Sequence, residues 1–175
     1  MAVGGDIFIG IGANLPAVGY QDAYQTCLAA IQIITQKSHL RLINCSPWYA
    51  TAPVPAADQP WFVNAVLSVA TELTPAALLQ ELHAIEDLFG RRRQKRNEAR
   101  VLDLDLLDFQ GALSDCKNAA AAHPILPHPR LHERAFVLYP LRDLSPHWQH
   151  PRSGRAIAAL IADLSSDQLI TAYQP

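Results

Sequence analysis

Residues 100–109, RVLDLDLLDF, set Asp103 and Asp105 one residue apart inside an apolar run. In an extended strand Leu102, Leu104 and Leu106 turn to one face, and both aspartates turn to the other. Side chains two positions apart on a strand lie roughly 6 to 7 Å from each other, where like charges at an effective dielectric near 20 repel by about 2 to 3 kcal/mol. A hard divalent cation offsets that repulsion, and magnesium favours one or two carboxylates together with water and phosphate oxygens. An isolated Asp-x-Asp is more often a solvated outer face, so its neighbours decide.

Directly upstream, RRRQKRNEAR carries Arg91, Arg92, Arg93, Lys95, Arg96 and Arg100, six of the chain's 14 basic residues within ten positions. Guanidinium forks match phosphate oxygens, so cations beside a carboxylate pair point to a metal-bound polyphosphate. The plainer readings of such a run are a solvated loop or a nucleic-acid patch. No aromatic interleaves it, so stacking on single-stranded bases finds no support. The chain has no GxxxxGK[ST], and Gly10-x-Gly12 lacks the third glycine of a dinucleotide fingerprint, so ATP would be held through metal and arginine. Downstream, LPHPRLHERAF supplies His128, Arg130, His132, Arg134 and Phe136. His128 and His132 have the spacing of a helical metal pair, but the flanking prolines oppose a regular helix and zinc would need further ligands.

These groups need elements to position them. DIFIGIG, residues 6–12, alternates Ile7, Ile9 and Ile11 on one face, the period of a strand. Over 20–36 the period becomes helical, with Tyr24, Cys27, Leu28, Ile31 and Ile34 on one stripe. LRLINCSPWYATAPV starts as a strand and then becomes loop around Pro47, Pro53 and Pro55, too proline-rich for a sheet interior. In WFVNAVLSVA, Val63, Ala65, Leu67 and Val69 share one face and Phe62, Asn64 and Val66 the other. Thr74 and Pro75 open a helix that carries Leu78, Leu82, Ile85 and Phe89 and that Gly90 can end. After a strand at 100–108 comes an aperiodic loop, and SGRAIAALIADL forms a final covering helix. Strand, helix, strand, strand, helix, strand is the order of a split βαβ unit. The expected fold is therefore α+β and ferredoxin-like, a mainly antiparallel sheet with helices on one face and the site on the other.

A length of 175 residues suits one domain, taken as residues 1–175. No apolar run approaches the roughly 20 residues of a membrane span, and no basic leader precedes the first apolar stretch. Cys27, Cys45 and Cys116 are odd in number and lack a CxxC pairing, which suits a reducing cytoplasm. A net charge of -2 gives the whole chain no pull toward nucleic acid or anionic membranes. A monomer is expected, with a weak dimer as the alternative.

Taken together, IGANL, YATAPV with DQPWFVNAV, IEDLFGRRR, RVLDLDLLDF and LPHPRLHERAFVLYPL, in this order along nearly the whole chain, resemble the 6-hydroxymethyl-7,8-dihydropterin pyrophosphokinase family. The resemblance implies transfer of the β,γ-diphosphate of ATP to the pterin hydroxymethyl group in folate biosynthesis, releasing AMP, with two Mg2+ ions and ATP as co-substrate. It places the metal on Asp103 and Asp105, and the pterin on Thr51, Val54, Phe62, Asn64 and Phe136. It places ATP on Glu86, Arg91, Arg93, Arg100, His128 and Arg134, with Arg91 and Arg100 closing over the reactants. The chain departs from the family where RNEAR replaces RWGPR, where Pro129 replaces an aromatic, where Ala52 replaces a proline, and where His123, Pro124 and Ile125 precede the Pro-His pair. A catalytically lapsed pterin or nucleotide binder stays open as an alternative on the RNEAR segment. A nucleic-acid-binding module stays open on the basic run.

Overall fold

The computed structural model describes residues 6–90, 99–114 and 124–174. Arg91, Arg93, Cys116 and His123 lie outside the described residues, and so does most of the 91–100 loop. In chain order the elements are β1 (Ile7–Ala13), α1 (Ala23–Gln36), β2 (Leu40–Cys45), β3 (Tyr49–Thr51), β4 (Phe62–Thr71), α2 (Pro75–Leu88), β5 (Asp103–Phe109), a 3-10 turn (Leu131–Glu133), α3 (Ala135–Leu144), α4 (Ile157–Ala162) and β6 (Ile170–Ala172). The sheet runs β5-β1-β4-β3-β6, with β2 joined to β4 on the same flank as β3. All of these pairings are antiparallel.

Local chemistry explains both helix starts. The Asp22 carboxylate caps α1 by accepting the Gln25 N–H at 2.7 Å, and the Thr74 hydroxyl caps α2 by accepting from Ala77 at 3.3 Å, with Pro75 in the first turn. α2 stops at Gly90, whose φ of 80° suits a residue without a Cβ. Both helices pack on one face of the sheet: Cys27, Ala30 and Ile34 of α1 and Leu78, Leu82 and Ile85 of α2 meet Ile7, Ile9, Ile11, Leu67, Leu104 and Leu106. Leu28, expected on the buried stripe, is 37% exposed, because the stripe centres on Ala23, Cys27, Ala30 and Ile34.

The ferredoxin-like α+β plan holds, with one addition on its second face. Leu131, Val137, Leu138, Leu141, Ile157 and Leu160 cover Phe8, Val66 and Leu107 there, so α3 and α4 roof part of the face that the site shares. A bulge between Phe8 and Ile9 on the β1 side of the ladder leaves Leu107 as the extra residue of β5. Leu106 and Leu107 thereby enter opposite cores. Asp108, just beyond, is buried and accepts the Trp148 indole N–H at 2.8 Å and the Gly111 N–H at 2.9 Å. The third aspartate of the run is therefore a packing residue.

The proline-rich segment needs a correction. Tyr49–Thr51 forms β3 between Pro47 and Pro53 and pairs with both β4 and β6, because three residues suffice for this ladder and both prolines fall outside it. Ser46 bridges the gap to β2: its N–H donates to the Val66 carbonyl at 2.9 Å, and its hydroxyl accepts the Val66 N–H at 3.0 Å. The second strand of the split βαβ unit is thus interrupted over Ser46–Trp48.

Candidate active site

Register places the aspartates. Asp103 stands opposite Gly12 and Asp105 opposite Gly10, so on this face β1 offers no side chain to crowd either carboxylate. The opening above is a cavity of about 320 Å³. Its wall includes Asp103, Asp105, Arg100, Arg134, Thr51, Val54, Phe62, Asn64 and Phe136. Nine residues singled out from the sequence are thus brought to one hollow by β3, β4, β5 and the start of α3. Because β5 and β4 flank β1, the carboxylates and the Phe62–Asn64 pair stand roughly 10 Å apart, two strand spacings.

Each carboxylate faces a guanidinium: Asp103 pairs with Arg100, and Asp105 Oδ2 lies 3.7 Å from Arg134 Nη1. Arg134 also sits over the Phe136 ring, 5.3 Å from its centroid. Burial pulls the Arg134 guanidinium below the ordinary arginine value, with Asp105 opposing. Among the described residues no group of three or more His, Cys, Asp or Glu side chains could hold a metal. The donor set is thus two carboxylates with space beside them, which fits magnesium completed by phosphate oxygens and water.

On the other side, Asn64 is buried and donates from Nδ2 to the Thr51 hydroxyl at 2.8 Å. Its Oδ1 lies against Gly12, where a Cβ would approach within 2.5 Å. The amide is therefore held in one orientation. Phe62 and Phe136 are both partly buried and border the same hollow, and Val54 is exposed at its rim.

Two expected nucleotide contacts are not part of the cavity wall but stand behind it. Glu86 is fully buried on α2, outside the cavity wall, and its Oε1 accepts the Leu104 N–H at 2.7 Å, bracing β5 from the helix side. His128 is also outside the wall; its N–H donates to the Leu107 carbonyl at 2.8 Å, and its Nδ1 accepts the Arg130 N–H at 3.2 Å. Burial lowers the imidazole's pKa, against the pull of Asp105 and with help from Arg134 and Arg130. His132 is exposed, with its Nε2 3.7 Å from Glu133 Oε1.

Several residues of this region were not singled out from the sequence. Gln59, Glu133, Asp167 and Gln168 join the wall, as does Arg130, which the sequence supplied without a role. Asn14, only 3% exposed, ties the two loop bases together. Its Oδ1 accepts the Arg100 N–H at 2.7 Å, and its Nδ2 donates to Gln59 Oε1 at 3.1 Å and the Pro60 carbonyl at 3.0 Å. The one available signal was a polar residue directly after an apolar strand, within IGANL.

Residues 8–146 match the family model described as 7,8-dihydro-6-hydroxymethylpterin-pyrophosphokinase (HPPK). The chain is 38% identical over 156 residues to the 2-amino-4-hydroxy-6-hydroxymethyldihydropteridine pyrophosphokinase of Pseudomonas aeruginosa, covering 89% of this chain and 90% of that one. It is 32% identical over 163 residues to the Haemophilus influenzae protein of the same name, covering 93% and 95%. In structure it is similar to a Plasmodium falciparum HPPK-DHPS triple mutant with SDX-DHP, at a TM-score of 0.68 and 14% identity. That likeness, which is one of fold, covers 90% of this chain and 44% of the longer one. The chain belongs to the 7,8-dihydro-6-hydroxymethylpterin-pyrophosphokinase family.

Proposed function

We propose that this chain carries out its family's reaction in the cavity above β5, β1 and β4, passing the β,γ-diphosphate of ATP to the hydroxymethyl group of 6-hydroxymethyl-7,8-dihydropterin. AMP leaves, and the pterin diphosphate goes on to folate synthesis. The observation that carries this reading is the shared hollow: an acidic pair flanked by arginines lies two strands from a buried, oriented amide and two phenyl rings.

Phosphoryl transfer asks a protein chiefly for positioning and charge stabilisation. Asp103 and Asp105 would hold magnesium, two ions in this reading, which when bound neutralises triphosphate charge and acidifies the attacking hydroxyl. Arg134, already partly desolvated, exchanges its contact with Asp105 for phosphate oxygens, and Arg100 does the same from Asp103. Phe62 and Phe136 take the flat ring between their faces, while Asn64, fixed by Thr51, reads the donors and acceptors on its edge. Anchoring the triphosphate over β5 and the ring over β4 lets the hydroxyl and the phosphorus meet between the two anchors, which gives the orientational advantage of an intramolecular reaction. The reading takes residues 1–175 as one catalytic domain, supported by β1 and β6 sharing a sheet.

The test is AMP release from ATP, hydroxymethyldihydropterin and magnesium. Asp103→Ala and Asp105→Ala should each lower turnover by about 10³-fold or more with unchanged circular dichroism. Near-normal AMP formation by both variants refutes the metal role.

A further inference from the structure

Three residues of the cavity wall, Ser165, Asp167 and Gln168, come from beyond residue 146, where the match to the family model stops. Gln168 commits its whole side-chain amide to the backbone. Its Oε1 accepts the Ala135 N–H at 2.8 Å, and its Nε2 donates to the Glu133 carbonyl at 2.8 Å. Those two backbone groups belong to the residues on either side of Arg134, so one amide grips the chain around the guanidinium-bearing residue. α3 has use for that grip, because its capping residue, Arg134, makes no side-chain hydrogen bond to the first turn. The first N–H groups of a helix have no partner within it. Here one of them is satisfied from 33 residues away.

The same segment is fastened to the opposite wall. The Leu169 carbonyl accepts the Ala52 N–H at 3.1 Å, and Ile170 pairs with Thr51 in the β3–β6 ladder. Thr51 in turn accepts from the Asn64 amide. Three consecutive residues, Gln168 to Ile170, therefore join the Arg134–Phe136 wall to the Thr51–Asn64 wall. A ring held between two phenyl faces depends on their separation, since a gap of about 0.5 to 1 Å already forfeits a quarter to a half of the dispersion contact.

We infer that Gln168 is a positioning residue that sets the separation of these two walls, acting through Arg134 and Phe136. The inference rests on the reading of the cavity as the pterin site. Gln168→Met keeps the length of the side chain and removes both hydrogen bonds. Gln168→Glu keeps the acceptor for Ala135 and loses the donor to Glu133.

In the AMP-release assay Gln168→Met is expected to raise the KM for hydroxymethyldihydropterin about tenfold, with Gln168→Glu between it and wild type. A purely structural role would lower the melting temperature and the active fraction, and hence kcat, while leaving KM of the folded molecules unchanged. That pattern, a KM within about twofold of wild type in both variants, overturns the inference. If Gln168→Met does not fold, Gln168→Glu decides alone: a KM raised about threefold or more supports the role, and an unchanged KM overturns it. If the wild-type chain releases no AMP, the functional reading falls instead. Calorimetric titration of hydroxymethyldihydropterin into the same proteins then judges Gln168, and equal affinities overturn its role.

Discussion

Gly12 shows how much one missing Cβ can contribute to a site. Its backbone is not in the left-handed region; what it allows is close approach, since a Cβ there would lie 2.5 Å from Asn64 Oδ1. With Nδ2 of the same amide committed to Thr51, the side chain can yield only by giving up its orientation. Gly12→Ala is therefore expected to weaken pterin binding by roughly 5- to 150-fold, the worth of about 1 to 3 kcal/mol of mispaired buried polar group. Calorimetry checks this, and unchanged affinity would mean that the amide does not read the ligand. The orientation of Asp103 and Asp105 was legible in the sequence because strand period alone fixes it. The role of Gly12 was not, because it arises only when β1 pairs with β4 in the register that sets Gly12 against Asn64. The Glu86 contact with β5 was not legible for a related reason: a carboxylate on the inner face of α2 meets the Leu104 N–H only once helix and strand have packed.

At the scale of elements, the loop bases on either side of the cavity are joined through Asn14. The Asn14 and Leu15 N–H groups donate to the Arg100 carbonyl at 2.9 and 3.1 Å, while the Asn14 side chain joins Arg100 to Gln59 and Pro60. Asn14→Ala would leave buried donors and acceptors unmatched, so it should cost about 2 kcal/mol of stability in urea unfolding and also lower kcat, since Arg100 loses its side-chain anchor and keeps only the two backbone ones. Loss of stability with unchanged kcat would show that the link serves packing alone. β1, α1, β4 and α2 were readable from apolar period and caps. α3 was not, because Pro140 stands inside it and masks the helical pattern in a stretch that reads as a motif of charged and aromatic residues. β6, three residues long with an intermediate-exposed-exposed pattern, carries almost no periodic signal and exists through its pairing with β3.

For the molecule as a whole, the sheet separates two apolar layers, one beneath α1 and α2 and the other beneath α3 and α4, and the site occupies what the second layer leaves uncovered. His150 lies in that second layer, 6% exposed and edge-on to Trp148 and His132, with its Nδ1 accepting the Arg152 and Ser153 N–H groups at 3.3 Å. Burial, together with His132, holds its pKa below the ordinary histidine value, with Asp108 opposing. The unfolded chain therefore binds more protons below about pH 6.5, and the contribution of His150 is complete above that pH and is lost as pH falls toward the folded value. Wild type should lose more stability than His150→Asn between pH 7.5 and 5.5 in denaturant unfolding; equal losses would exclude His150 as the source. The core facing α1 and α2 could be read from sequence because its strands and helices are contiguous in the chain. The second layer depends on residues 124–164 returning across the sheet, which no local pattern announces. The break over Ser46–Trp48 divides labour along one edge: β2 answers to the packing beneath it, whereas β3 lines the cavity through Thr51. Mutations that retune substrate preference can thus accumulate on one half of that edge without loosening the other.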